Sequence, residues 1–246
     1  MNQTIKELYE RKSVRVFEDK EISGEDKRFI LEAAAMAPTA GNQQLYTILD
    51  ITDQRLKDRL VETCDNQPFI ASAKMVLVFC ADCKKWYDGF ISAGCEPRKP
   101  GVGDLLLAVS DTNIAAQNAV TAAWSLGIGS CYIGDIMENH EENRELLGLP
   151  EYVFPAAMLV FGYPTAQQAE RKKPERVALK HLVHENRYRN MDKSELEEMW
   201  TPRFVEGMYE AQMKAFCERK FNSDFSREMS RSVNEYIKQF LSHHNN

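Results

Sequence analysis

The sequence of 246 residues contains no long apolar run and no excess of positive charge. No stretch approaches the roughly 18–20 continuous apolar residues that cross a bilayer, and the polar, mixed-charge residues 1–11 do not resemble a signal peptide. Its 31 basic residues are outnumbered by 37 acidic ones, for a formal net charge of -6. Such a chain has no general attraction for nucleic acid or anionic membranes. The sequence therefore predicts a cytoplasmic protein that binds neither.

Several common catalytic and nucleotide-binding motifs are also missing. The patterns G-x-G-x-x-G, G-x-x-x-x-G-K-[ST], H-E-x-x-H and G-x-S-x-G do not occur. The five histidines are dispersed or terminal and form no ligand pattern. Metal catalysis and hydrolysis by a serine triad are therefore not expected, and no metal-binding residue is predicted.

The six cysteines are more typical of reduced thiols than of a disulfide framework, because the chain is long and shows no export signal. Cys80 and Cys83 form a C-x-x-C pair, but no second pair stands at the spacing of a zinc ribbon. A structural or incidental role is the favoured interpretation of this pair. A redox or metal-binding role is the alternative.

The apolar content of 43% is enough for a sizeable core. A continuous apolar run over residues 75–80 is typical of a strand buried on both faces. An alanine-rich pattern over 111–126 indicates a central, buried helix. Further strands are predicted over 45–51, 130–134 and 154–162, helices over 23–38, 54–64, 192–217 and 223–241, and a loop within 84–104. Because helices and strands interleave without strict alternation, we predict the α+β class.

Five short segments have side chains that suit ligand binding. Arg11-Lys-Ser-Val-Arg15 offers three cations and a hydroxyl that can hold a phosphate, and residues 171–176 form a second basic cluster. Residues 37–44 end a helix with a polar turn, and Gln67 precedes the buried strand. Residues 130–135 end a strand at a glycine, where backbone N–H groups can approach a flat ligand. Taken singly, each is more often ordinary surface, a helix-stop loop or a strand exit.

Taken in order, these segments resemble the FMN-dependent nitroreductase family. Residues 11–15 match an R-x-S-x-R element, and residues 37–44 match A-P-[ST]-x-x-N-x-Q. The run 111–134 resembles the family's long helix leading into its flavin-edge strand, and 161–164 and 183–188 complete the order. The length and the helical tail are similar to the larger branch, the oxygen-insensitive NADPH nitroreductases and related flavin reductases.

The resemblance implies a nitroreductase-like fold. In that fold a central mixed or antiparallel sheet is flanked by helices, and a long central helix lies at a homodimer interface. The expectation is a single FMN-binding domain over residues 1–246, of which about 190–246 form a helical C-terminal extension.

The resemblance also implies which residues bind FMN. Residues 11–15 would hold the phosphate, the ribityl chain and the pyrimidine edge, and 132–135 would lie along the isoalloxazine, with a backbone N–H near Gly134 facing N5. Thr39 and Asn42 would reach the flavin from the partner subunit. The expected cofactor-binding residues are Arg11, Lys12, Ser13, Val14, Arg15, Thr39, Asn42, Gln67, Tyr132, Ile133, Gly134, Asp135, Lys173 and Arg176.

Two positions depart from the family's pattern. Where the larger branch commonly has Lys-Pro-Arg, this chain has Lys173-Pro-Glu-Arg176, so either Arg176 takes over or one phosphate contact is missing. Asp135 replaces the second glycine of a pair that is common at the flavin edge. If its side chain points inward, its charge is expected to lower the flavin potential.

The implied activity is a ping-pong reaction in which hydride passes from NAD(P)H, the co-substrate, through flavin N5 to a nitroaromatic, quinone or flavin acceptor. No side chain is predicted to be catalytic, since solvent can supply protons. Two alternatives stay open. One is an enzyme of the same fold with another outcome, such as reductive dehalogenation or flavin fragmentation, and the other is an FMN-binding redox sensor or flavin store.

Overall fold

The structure, a computed structural model, describes residues 1–241, and the end of the predicted C-terminal extension, 242–246, lies outside the described residues. The chain divides into two compact units. The first comprises residues 1–171 together with the chain from 228 onward, and the second comprises residues 172–227.

A four-stranded sheet forms the centre of the first unit. Its strands are β1 (Tyr46–Asp50), β2 (Met75–Asp82), β3 (Gly129–Ile133) and β4 (Val153–Gly162). They lie in the order β1-β2-β4-β3, and every neighbouring pair is antiparallel. The prediction of a mixed or antiparallel sheet is thus confirmed in its antiparallel form, with β1 and β3 at opposite edges.

The two central strands, β2 and β4, are buried along their whole length because the sheet is covered on both faces. Alternate side chains of a strand point to opposite faces. Accordingly Val76 and Val78 join one apolar cluster, whereas Leu77 and Phe79 join another. This two-sided burial explains the continuous apolar run in the sequence.

Helices supply both coverings. Along the first unit they are α1 (Gln3–Glu10), α2 (Gly24–Ala35), α3 (Gln54–Thr63), α4 (Phe69–Ser72), α5 (Lys84–Ser92), α6 (Val102–Ser125), α7 (His140–Leu146) and α8 (Ala166–Glu170). The buried residues of α2 and those of the second half of α6, from Ala115 to Ala123, belong to the cluster on one face. Leu60 of α3 belongs to the other cluster, together with Leu105 and Ala108 near the start of α6. None of the helices in the described part of the chain is both long and apolar enough to cross a membrane.

The long helix α6 begins earlier than predicted, at Val102 instead of 111. Asp104 stabilises its first turn, because the Asp104 carboxylate accepts a hydrogen bond from the Gly101 N–H at 2.8 Å. The same carboxylate accepts hydrogen bonds from both terminal nitrogens of Arg98. The glycines at 101 and 103 made this turn resemble a loop, but the capping carboxylate stabilises the helix start. Ala115, Ala119 and other small residues of α6 are fully buried, as expected for a central helix.

The predicted loop over 84–104 is partly wrong, because α5 occupies its first half. The Asp82 carboxylate accepts the backbone N–H groups of Lys84 and Lys85 at 3.0 and 3.1 Å. These bonds satisfy two of the otherwise unpaired donors at the helix start. The capping acid lies at the end of the preceding strand, so the local glycine content did not reveal the helix.

The second unit contains α9 (Lys193–Trp200) and α10 (Tyr209–Lys220), and α11 (Asp224–Leu241) begins in it and continues into the first unit. The single helix predicted over 192–217 is therefore divided. Pro202 lies in a short 3-10 turn after α9, and Gly207 adopts a left-handed backbone conformation with φ 74°. Proline does not continue an α-helix, and the left-handed conformation of Gly207 keeps the segment before α10 out of one.

Candidate functional site

Residues 11–15 lie alongside β3, the edge strand. The Val14 N–H donates to the Ser130 carbonyl at 2.9 Å, and Ser13 forms a parallel bridge to the same residue. Gly129 makes this approach possible, since a Cβ at that position would stand 2.6 Å from Val14 Cγ2. Val14 is fully buried, so the segment is anchored by its central residue.

The two arginines of this segment act on β3 through their charge. Burial raises the pKa of the Cys131 thiol, and the nearby Arg15 and Arg11 guanidinium groups act in the opposite direction. Burial likewise raises the pKa of Tyr132 to about 12, again opposed by Arg11. The positive charges of Arg11 and Arg15 therefore lie near the second half of β3.

Arg11 carries a buried nitrogen, Nη1, that has no hydrogen-bond partner within the described chain. A guanidinium offers five donors, and a buried donor left unpaired costs about 1–3 kcal/mol, more when it is charged. Arg11 can therefore donate a hydrogen bond to an acceptor that does not belong to the described chain, such as a bound ligand. An anionic oxygen, such as that of a phosphate, fits this donor set.

Residues 169–171 of the first unit contact the same segment through two cations, Lys12 of the segment and Arg171 of that stretch. The Lys12 ammonium donates to the carbonyl oxygens of Ala169 and Arg171, and the Arg171 guanidinium donates to the Ser13 carbonyl at 2.6 Å. Lys12 is therefore occupied with the protein backbone. Arg171, which was not among the expected cofactor-binding residues, is a basic group that the structure brings to the segment.

The loop after α3 approaches from another side. The Arg15 guanidinium carbon lies 5.9 Å from the centre of the Phe69 ring, and the Gln67 amide donates to the Cys64 carbonyl at 3.0 Å. Burial raises the pKa of Cys64 to about 12, with smaller contributions from Asp135 and Glu138. The loop 64–69 thus lies between Arg15 and the turn that follows β3.

That turn, Gly134–Met137, begins directly after the last residue of β3. Around Gly134 there is open space: a Cβ at this position would have only Met137 Cε, at 4.0 Å, for a neighbour. A flat ligand can therefore approach the backbone there. Asp135 is half-buried, whereas Glu138 is only 5% exposed.

Three segments of the first unit thus converge, namely 11–15, 64–69 and 131–138, and together they form what we call the basic cleft. It contains ten of the predicted residues: Arg11, Lys12, Ser13, Val14, Arg15, Gln67, Tyr132, Ile133, Gly134 and Asp135. Lys173 and Arg176 belong to the second unit, and their part in phosphate binding stays a prediction.

Thr39 and Asn42 lie at the opposite edge of the sheet, in the loop before β1. The Thr39 hydroxyl donates to the Asp111 carboxylate of α6 and accepts the Gln44 N–H at 2.7 Å. Asp111 also accepts the Ala40 N–H at 2.9 Å. A hydroxyl with its one proton committed can still accept a hydrogen bond but cannot donate another. Within one chain these two residues do not join the basic cleft.

Next to this loop is a cleft of about 290 Å³, which we call the aromatic cleft. The Trp86 indole N–H donates to the Gln43 carbonyl at 2.8 Å and so fixes α5 against the loop. Its aromatic lining residues are Trp86, Tyr87 and Phe90, and apolar residues beside them include Pro97, Pro100 and Leu107. Its position was not predicted, because it depends on α5, which the sequence did not reveal.

The C-x-x-C pair is buried. Burial raises the pKa of both Cys80 and Cys83 to about 12, and neither is in a disulfide. Because the thiolate is the form that reacts with oxidants and binds metals, burial disfavours both of these roles for the pair at neutral pH. The geometry favours the structural interpretation of the pair over the redox or metal-binding one.

Comparison with known proteins connects these features. A protein-family model described as the nitroreductase family matches residues 8–163. The FMN reductase [NAD(P)H] of Bacillus subtilis is 32% identical over 249 residues, which cover 99% of this chain and 94% of that protein. The oxygen-insensitive NADPH nitroreductase of Salmonella typhimurium is 36% identical over 193 residues, which cover 78% of this chain and 77% of that protein.

Solved structures show the same relationship. The NADPH:FMN oxidoreductase from Vibrio harveyi complexed with NAD+ superimposes with a TM-score of 0.80 at 26% identity, over 96% of this chain and 98% of that one. The B. megaterium protein NfrA2 gives a TM-score of 0.83 at 28% identity, again over 96% and 98%. The match therefore includes the C-terminal helices as well as the sheet.

Proposed function

The chain belongs to the nitroreductase family, and on that premise we propose that it is an FMN-dependent NAD(P)H oxidoreductase acting on nitroaromatic, quinone or flavin acceptors. The observation that carries the proposal is the buried Nη1 of Arg11 in the basic cleft, for which the described part of the chain offers no hydrogen-bond partner. Relatives at 30–36% identity are named as FMN reductases, flavin oxidoreductases and nitroreductases.

The basic cleft fits FMN by its chemistry. Arg11 and Arg15, with the hydroxyl of Ser13, suit the phosphate and ribityl chain, and Arg171 adds a cation beside them. The open backbone at Gly134 suits the flat ring system, next to Tyr132 and Ile133. We assign Gln67 to the ring edge and keep Lys173 and Arg176 as further phosphate ligands. When bound, FMN supplies the two-electron chemistry, while these residues bind and orient it.

We also propose that the chain is a cytoplasmic homodimer, each copy a single FMN-binding domain with a helical extension. Support comes from α6, whose Leu106 and Leu107 are 62% and 53% exposed although the helix is otherwise central. Such apolar groups on a structured helix are typical of a subunit interface. Light scattering at micromolar concentration should give the mass of two chains, and the mass of one chain would refute the dimer.

The dimer gives the aromatic cleft a role. Thr39 and Asn42 are proposed to contact the partner's flavin, and Trp86 is hydrogen-bonded to the same loop at Gln43. The aromatic cleft would then lie at that flavin, where its rings suit a planar acceptor. We propose that it is the acceptor-binding site.

Replacing Trp86 by alanine is therefore expected to raise KM for a nitroaromatic or quinone acceptor by about tenfold, the equivalent of about 1.4 kcal/mol of lost ring contact. The FMN dissociation constant should not change. Steady-state kinetics with a quinone and with ferricyanide, which has no ring to stack, provide the comparison. Equal changes in KM for both acceptors would contradict the assignment of the aromatic cleft as the acceptor-binding site.

Asp135 is the charged side chain next to the proposed ring site, and its charge opposes the gain of electrons by the flavin. Asp135→Asn is expected to raise the FMN midpoint potential by on the order of 30 mV, about 1.4 kcal/mol for a two-electron couple. Glu32→Gln on α2, which removes an exposed charge that pairs with Arg28, is the matched control. Spectroelectrochemistry of the three proteins gives the values. A potential for Asp135→Asn equal to that of wild type would show that this carboxylate does not act on the ring.

Anaerobic reduction of the purified protein tests the proposed function. The protein loaded with FMN should be yellow, and NADPH or NADH should bleach it within seconds. A yellow protein that neither nicotinamide reduces would be a flavin store or sensor, and a protein that cannot be loaded with FMN would contradict the proposal. An acceptor panel that includes halogenated aromatics and free flavin separates reduction from dehalogenation and flavin fragmentation.

A further inference from the structure

Glu138 has an unusual place for a carboxylic acid. It follows the turn Gly134–Met137 and is 5% exposed, and its Oε1 is buried with no hydrogen-bond partner among the described residues. The backbone around it is fixed, since the Glu138 N–H donates to the Asp135 carbonyl and the Glu138 carbonyl accepts the Asn143 amide at 2.7 Å. The side chain is therefore held in the interior without the partners that an ionised carboxylate requires.

Three acidic groups among the described residues act on Glu138. Asp135 faces it from its own turn, Asp65 from the loop after α3, and Glu228 from α11. Glu228 is itself paired with Arg231 at 2.8 Å and accepts the Asn139 N–H at 3.1 Å. Burial, together with these three acids, raises the pKa of Glu138 to about 8.

Two of those acids belong to the basic cleft. Asp135 follows Gly134, and Asp65 lies two residues before Gln67. Glu138 and Asp135 also act together on Cys64, at the start of the loop 64–69. Glu138 is thus the last residue of one of the three segments that we assign to FMN, and its carboxyl lies close to a second one, 64–69.

We propose that Glu138 is a positioning residue of the flavin site. Its carboxyl group holds a proton at neutral pH, and the buried side chain therefore adds no negative charge near the cofactor. This inference rests on the proposed function. When Glu138 releases its proton to solvent at higher pH, a carboxylate appears beside Asp135 and Asp65. Because FMN is itself an anion, it binds more tightly when Glu138 is protonated. By the same coupling, bound FMN increases the affinity of Glu138 for its proton.

The first test measures the FMN dissociation constant by flavin fluorescence from pH 7 to 9, where the phosphate stays doubly charged. For wild type we expect affinity to fall by about fivefold or more, the range of an ordinary coupling between two sites. Glu138→Gln, which keeps the shape of the neutral acid, should bind with constant affinity over the same range. Glu145→Gln, at an exposed position of α7, should follow wild type. Parallel profiles for wild type and Glu138→Gln would overturn the inference.

A second readout needs no cofactor. The infrared difference between wild-type and Glu138→Gln apoprotein at pH 7 should show the carbonyl band of a protonated carboxyl, and this band should disappear as the pH rises past about 8. Absence of the band at pH 7 would overturn the inference even if FMN binds. Failure of all three proteins to bind FMN at any pH would instead overturn the proposed function, and with it the role of Glu138 toward the cofactor.

Discussion

Arg11→Ala should weaken FMN binding by about 100-fold, the equivalent of about 2.7 kcal/mol, because it removes charge-assisted hydrogen bonds to the phosphate. The expected loss is large because Arg11 Nη1 is buried without a hydrogen-bond partner in residues 1–241, so that FMN would be the group that satisfies it. Turnover per bound flavin should change little, since we assign the residue to the phosphate and not to the reacting atoms. Equilibrium titration with FMN and turnover at full occupancy give the two numbers.

The matched control for this experiment is Arg28→Ala. Arg28 is exposed on α2, where it pairs with Glu32 one turn away, an arrangement worth little in water. Arg28→Ala should therefore leave the FMN dissociation constant unchanged. Should Arg11→Ala bind FMN as wild type does, or lose turnover at full occupancy instead of affinity, the assignment of this side chain to the phosphate would be wrong.

Glu138→Gln should stabilise the apoprotein at pH 8 but not at pH 4.5. In the folded chain the pKa of Glu138 is raised from 4.5 to about 8, so its contribution to stability is complete below pH 4.5 and is lost as the pH rises toward 8. Glutamine does not titrate and keeps that contribution. The difference in unfolding free energy between variant and wild type should grow by at most about 1.4 kcal/mol per pH unit, with an upper bound of about 5 kcal/mol.

Urea unfolding of the apoprotein at pH 4.5, 6 and 8 measures this difference. Because every other group titrates in both proteins, subtracting wild type from Glu138→Gln isolates the one carboxyl. Glu145→Gln should show no comparable trend. A difference that stays constant across the three pH values would mean that Glu138 ionises as it does in the unfolded chain.

Local patterns in the sequence were enough to predict the strands of the sheet. The run over 75–80 indicated a strand covered on both faces, and the structure places Val76 and Leu77 in separate apolar clusters. The same patterns missed α5 and the first turns of α6. Those helices depend on the carboxylates of Asp82 and Asp104, and the glycine and proline content around them indicated a loop.

The basic cleft was predicted as a set of residues, but the reasons for its shape were not. The resemblance brought residues 11–15 and 132–135 together, whereas Gly129, which allows Val14 to lie against β3, was not singled out. The bond between Thr39 and Asp111 joins residues far apart in the chain, so no local pattern contains it. In the sequence, Glu138 cannot be distinguished from the many acids of the surface. Its burial depends on segments that meet only in the folded chain.

A crystal structure of the protein grown with excess FMN tests the central assignment most directly. We expect the phosphate within hydrogen-bond distance of Arg11 and Ser13, the ring along residues 132–135, and a second copy of the chain reaching the same flavin through its loop 39–42. A flavin bound elsewhere, with Arg11 and Arg15 pointing into bulk water, would contradict the account.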